Sequence, residues 1–166
     1  MLIAHLPAGY LTTKCLQKCT KTRNHLWIGL VASVIPDLDL LYFYLIDNRQ
    51  TNHHDYLTHL PVFWGVLLFY SVAIVHLFIK NKKPAYVILL IFYGNIFIHM
   101  ALDSFAGYIS WFYPFFYMKA NVVEVPATYD WWVWSFVLHW SFIVELIIFG
   151  AAFYVFRKRG IRKCND

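Results

Sequence analysis

Four long apolar stretches, over 26–46, 57–79, 84–103 and 131–156, limit what this chain can fold into. Each comes close to the roughly 20 residues a helix needs to cross the hydrocarbon core of a bilayer. A segment in lipid must satisfy its own backbone polar groups, which a helix does. The composition agrees, with 60% of the 166 residues hydrophobic and 14% charged, where soluble domains are about half apolar and a quarter charged. The reading is an all-α integral membrane protein with about four transmembrane helices, forming a single membrane domain over 1–166. The stretch 1–11 is apolar but short, lacks the basic start of a signal peptide, and reads as a re-entrant or interfacial helix. The segment 104–120 is aromatic, contains Pro114 and is too short to span; it reads as a re-entrant or interfacial segment on the outer side. Aromatics at 20% exclude disorder, and three cysteines are too few for a disulfide framework. A net charge of +5 could suggest nucleic acid. The cations, however, fall in short clusters between apolar runs, as membrane proteins use them, so nucleic acid is not expected as a partner.

Those clusters imply a topology. Lys14, Lys18, Lys21 and Arg23 precede the first stretch, and Lys80, Lys82 and Lys83 separate the second from the third. Arg157, Lys158, Arg159, Arg162 and Lys163 follow the fourth. The loop 47–56 carries only Arg49, and 104–130 only Lys119. The positive-inside rule therefore places 12–25, 80–83 and the C-terminus in the cytoplasm and the other two loops outside. Cys15, Cys19 and Cys164 then face the cytoplasm and read as reduced thiols. The trio Trp131, Trp132 and Trp134 reads as an interfacial aromatic belt.

Ionisable groups inside membrane segments are costly and usually functional. Here they cluster. Asp37 and Asp39 interrupt the first span, His59 opens the second, and His99 and Asp103 close the third. At about 1.5 Å per residue, Asp37 and Asp39 lie roughly 20 Å above the cytoplasmic loop, His99 and Asp103 roughly 22–28 Å, and His59 roughly 30 Å. His5, on the short N-terminal element, can reach the same region. His99 and Asp103 are four apart and share one helix face. Asp37 and Asp39 would diverge on a regular helix, but Pro36 breaks it, and a broken helix is tolerated where it lines a cavity. Neutral imidazoles with carboxylates form the ligand sets of hydrolytic Zn²⁺, Mn²⁺ or Fe²⁺ sites. Zn²⁺ is the first choice, with one or two ions. Bland alternatives apply elsewhere: His76 and His139 read as packing residues, His25 and His53 as solvated, and Glu145 as a poor match for His139, six residues away.

At these residues the chain resembles the YdjM-like family of membrane-bound proteins, inferred to be metal-dependent hydrolases. The resemblance rests on His5, on Ile35-Pro36-Asp37-Leu38-Asp39, on His54 through Thr58-His59, on His99 followed by Asp103, and on Gly107 with Pro114-Phe115. Order and spacing match over about residues 1–115. Asp55-Tyr56 stands where the family has Arg-Gly, and Leu60 where it has Ser. The His-x-x-x-Asp element is also similar to one in helical zinc phosphodiesterases. The resemblance implies a metal-dependent hydrolase and names no substrate.

Together these readings give a membrane-embedded metal-dependent hydrolase acting on an ester or phosphoester of a lipid-like or amphiphilic substrate. The site would open to the outer face of the cytoplasmic (inner) membrane. His5, Asp37, Asp39, His59, His99 and Asp103 are the expected metal ligands. His54 is the expected acid/base group or a further ligand, and Thr58 orients a ligand from behind. The aromatic segment 105–118 would admit the substrate. A divalent-metal transporter and a non-catalytic scaffold are the rivals. A transporter needs polar residues in the inner half as well, and none are expected there.

Overall fold

The computed structural model describes residues 1 and 3–164, and the side chains of the last helix only as far as 158. The side chains of Arg159, Arg162, Lys163 and Cys164 lie outside the described residues. Helices dominate: α1 (His5–Cys19), α2 (Leu26–Ala32), α3 (Asp39–Leu45), α4 (Pro61–Phe78), α5 (Lys82–Ala106), α6 (Trp132–Val137) and α7 (Phe142–Cys164). Among the described residues there is no strand, only an isolated antiparallel bridge between Ile109 and Ala120. The fold is all-α, as the apolar stretches require.

Among the described residues two helices, Pro61–Phe78 and Lys82–Ala106, are long and apolar enough to cross a membrane. The segments Leu26–Ala32 and Pro36–Leu45 make a third if taken as one span bent by 49°. The bend has a local cause. Pro36 lacks an N–H, and the chain passes through a 3₁₀ turn, Pro36–Leu38, before α3 begins. The stretch expected as one span over 131–156 is divided into α6 and α7. At the division, His139 Nδ1 lies 2.9 Å from Ser141 Oγ and also faces the Ser141 backbone N–H. Local side-chain bonds of this kind compete with the helical ladder.

Proline at the first helical position starts α4. The cluster of Ala32, Trp64, Tyr93, Ile96 and Met100 packs α2 and α4 onto α5, and Ser71 Oγ pairs with Tyr93 Oη at 2.8 Å. On the other side of α5 lies α1, which also packs on α2 and α7. It is longer than the short N-terminal element the sequence suggests, and Lys14 and Cys15 are helical rather than in a loop. Its buried face carries His5, Ala8, Gly9, Thr13 and Gln17. Small residues let membrane helices approach closely. A Cβ added at Gly29 of α2 would lie 1.8 Å from Thr13 Oγ1 and 2.9 Å from Asn95 Nδ2.

This packing buries polar groups that the sequence reading did not expect below the Asp/His cluster. Asn95 Nδ2 donates to Thr13 Oγ1 at 3.1 Å and to the Ile91 carbonyl at 2.7 Å. Gln17 Nε2 donates to the Asn24 carbonyl at 2.7 Å. These residues bond across α1, α5 and the loop after α1, as polar residues do when they hold membrane helices together. The outward faces are apolar: Phe69, Leu77 and Phe78 on α4, and Ile147, Phe153 and Phe156 on α7, are all exposed. Lipid is the solvent that suits them.

Candidate metal centre

The helix break at Pro36 has a chemical consequence. In a continuous α-helix the Ser33 carbonyl would accept from the Asp37 N–H. Here that N–H turns to the Val34 carbonyl at 3.2 Å, and the Ser33 carbonyl instead lies 2.8 Å from His99 Nδ1. A carbonyl oxygen can only accept, so His99 Nδ1 carries a proton, and in the neutral ring the Nε2 lone pair is free. His59 is held in the same way. Its Nδ1 lies 2.6 Å from Asp39 Oδ2, which also accepts from Thr58 Oγ1 at 2.5 Å. Each imidazole is thus fixed from behind, one by a carbonyl and one by a carboxylate, as metal-binding histidines are.

The two Nε2 atoms point at a common place. Asp37, His59, His99 and Asp103 each present one ligand atom there, all within 4.8 Å of one another. His99 Nε2 lies 3.0 Å from Asp103 Oδ2 and 3.6 Å from Asp37 Oδ1. His59 Nε2 lies 3.6 Å from Asp37 Oδ1 and 3.7 Å from Asp103 Oδ2. A tetrahedral shell with bonds of about 2.0–2.2 Å sets neighbouring ligand atoms about 3.3–3.6 Å apart. The spacing fits. So does hydrogen bonding: His59 Nε2, His99 Nε2 and Asp103 Oδ2 are all buried with no hydrogen-bond partner among the described residues. Such orphans are costly in a protein interior, and a divalent cation would satisfy all three. This His/Asp group could hold a metal ion.

Beside it, His53, His54 and His59 form a second group of close ligand atoms. Gly107 makes room for it, since a Cβ there would lie 2.5 Å from His54 Cε1. Burial, and then the neighbouring His53, pushes the His54 imidazole down to about 3. Burial also lowers His53, with His59 as the next cause. Both imidazoles are therefore neutral at ordinary pH. They line a cavity of about 350 Å³ together with Asp37, Asp103, Phe43 and Trp132. Asp37, its side chain 30% exposed, is the member of the first group most open to it.

The YdjM inner membrane protein family matches residues 1–162. The chain belongs to this family. Its location as an inner membrane protein follows from that membership and agrees with the apolar helices. Comparisons with curated proteins and with solved structures find no match.

In this YdjM-family chain the residues singled out from the sequence gather in one region with different places in it. Asp37, His59, His99 and Asp103 form the convergent group. Asp39 stands behind His59 rather than beside the common point, and Thr58 stands behind Asp39. His54 lies on the cavity side. His5 lies against the group, with Nδ1 2.8 Å from His99 Nδ1 and Nε2 3.0 Å from Asp103 Oδ1. Asp103 Oδ1 also takes the Met1 amino group at 2.5 Å. In the aromatic segment residues 107–131 are irregular, and Phe115, Phe116 and Tyr117 are exposed. Sequence reasoning overlooked Ser33, whose part is played by a backbone carbonyl, and His53, which read as solvated. The adjacent pair His53-His54 was the available signal for the latter.

Proposed function

We propose that this protein is a membrane-embedded metal-dependent hydrolase that cleaves an ester or phosphoester of a lipid-like or amphiphilic substrate. The observation that carries the reading is the convergence of unpartnered His59 Nε2, His99 Nε2 and Asp103 Oδ2, with Asp37 Oδ1, at the wall of a largely apolar cavity. A divalent cation bound there, Zn²⁺ first and Mn²⁺ or Fe²⁺ as alternatives, would supply Lewis acidity at the scissile group and an activated nucleophile from water.

The chain's own residues supply the rest. Asp37 and Asp103 give anionic oxygen donors, and His59 and His99 give neutral nitrogen donors. Asp39 and the Ser33 carbonyl hold the two imidazoles in the required tautomer. His5 steadies Asp103 and His99 and is close enough to join the ligand set. His54, neutral and on the cavity wall, is placed to take or give a proton to substrate. Leu40, Phe43, Trp132 and Phe136 offer an apolar surface to an acyl or similar chain. The alternation of basic clusters supports a cytoplasmic C-terminus and a site that opens outward.

The test is metal analysis of the purified protein beside hydrolysis of p-nitrophenyl esters and phosphodiesters in detergent. Wild type should carry about one or two equivalents of metal and hydrolyse one of these classes. Asp103→Asn and His99→Ala should lose both metal and activity, while His76→Ala, exposed near the end of α4, should keep them. Equal metal in all variants, or none in wild type, defeats the reading. Metal without hydrolysis but with cation flux into vesicles would favour transport. A probe that labels Asn121→Cys only after lysis would reverse the orientation.

A further inference from the structure

Glu145 sits in the first turn of α7 and is completely buried. His139, six residues away, is a poor helical match for it, and its described bonds go elsewhere. Its Oε2 accepts the backbone N–H of Ile3 at 2.5 Å and of Ala4 at 3.0 Å. Those amides lie at the very start of α1, where the first N–H groups of a helix have no partners within it. The N-cap residue is Ala4, which has no side chain to help. A carboxylate supplied by α7 therefore caps α1 and meets the positive end of its dipole.

The next residue along is His5. Its ring packs edge-on against His99 with centroids 3.8 Å apart, and its Nε2 faces Asp103 Oδ1. Chain ends stay loose unless tied down. Beside the contacts of Met1 and His5 with Asp103 and His99, the carboxylate is the group that holds the backbone amides of this first turn. We propose that Glu145 is a positioning residue for the metal centre: by capping α1 it fixes His5, and His5 fixes Asp103 and His99. This inference rests on the metal reading above and extends it to a residue that touches neither cation nor substrate.

The experiment uses full-length protein in detergent, with Glu145→Leu, Glu145→Gln, His5→Ala and the double variant Glu145→Leu/His5→Ala. Two quantities are read: the rate of diethylpyrocarbonate labelling at His5, His59 and His99 by mass spectrometry, and Zn²⁺ affinity by competition with a chelator. Glu145→Leu should speed labelling of His5 about tenfold while His59 and His99 stay protected. It should weaken Zn²⁺ binding on the order of tenfold, as loss of an outer support does, and should add nothing in the His5→Ala background. Glu145→Gln, which keeps an acceptor oxygen, should retain most of both properties. If Glu145→Leu cannot be purified folded, Glu145→Asp, whose carboxylate stops short of the amides, carries the same expectation.

Protection of His5 in Glu145→Leu, or labelling of all three histidines together, would overturn the proposal; so would Zn²⁺ losses that add in the double variant. Wild type that binds no divalent cation would overturn the metal reading itself. The labelling arm would then still decide whether Glu145 seats His5.

Discussion

Stripping the cation should soften the whole membrane domain, and the size of the effect follows from the site. Asp37 Oδ1 and Asp103 Oδ2 lie within 4.8 Å of each other. At that separation two carboxylates repel by about 3.5 kcal/mol at an effective dielectric of ~20. Asp37 is partly exposed, and solvent there screens the repulsion. Three buried ligand atoms also lack partners. A divalent cation held there would remove the repulsion and satisfy the orphans, and so would bind the folded chain far better than the unfolded one. Free metal at 100 times its dissociation constant then stabilises the fold by about 2.7 kcal/mol. For a chain of this size each kcal/mol moves the melting temperature by about 2–4 °C, which gives a shift of about 5–11 °C. The assay is thermal unfolding in detergent, followed by intrinsic Trp fluorescence, before and after a strong chelator and again after Zn²⁺ or Mn²⁺ is restored. Chelation should lower the midpoint and restoration should return it. Superimposable melts across both titrations, from protein shown to hold no metal, would refute the reasoning and leave the cluster as a proton-sharing network.

Asp39→Asn keeps the size of the side chain but loses the charge behind His59, and should weaken Zn²⁺ binding about 10- to 100-fold with little change in the melting point of the metal-free protein; competition titration checks it. Gly29→Ala forces a methyl group onto Thr13 and Asn95 at the tight α1–α2–α5 contact, and should destabilise by about 1–3 kcal/mol, seen as a lower detergent midpoint with metal stoichiometry unchanged. Lys119→Ala breaks the pair in which Lys119 Nζ lies 2.7 Å from Asp55 Oδ1. Because both side chains are well exposed, stability should fall by no more than about 1 kcal/mol, measured by the same melts; a larger loss would mean that this tie between the two loops holds the rim of the cavity in place.

The features readable from the residues alone are the local ones. Length and apolarity require Pro61–Phe78 and Lys82–Ala106 to be helices suited to lipid, and any helix with His and Asp four apart presents both on one face. Pro36 interrupts its apolar stretch because, far from a first turn, it has no N–H to give to the helical ladder. The depth argument, which needs only the rise per residue, brings His59, His99 and Asp37 to the same half of the bilayer. Which atoms meet there is a different matter. Asp37 and Asp39 look alike in sequence, yet one joins the convergent group and the other stands behind His59; the irregular turn between α2 and α3 separates them, and no periodicity describes that turn. Ser33 acts through a carbonyl, which every residue has, so its role carries no side-chain signal. Glu145 finds its partners at the far end of the chain because α7 packs on α1. Helix pairing of this kind depends on the close fit of surfaces such as Gly29 against Thr13, and burial of a carboxylate is settled only once those surfaces have met.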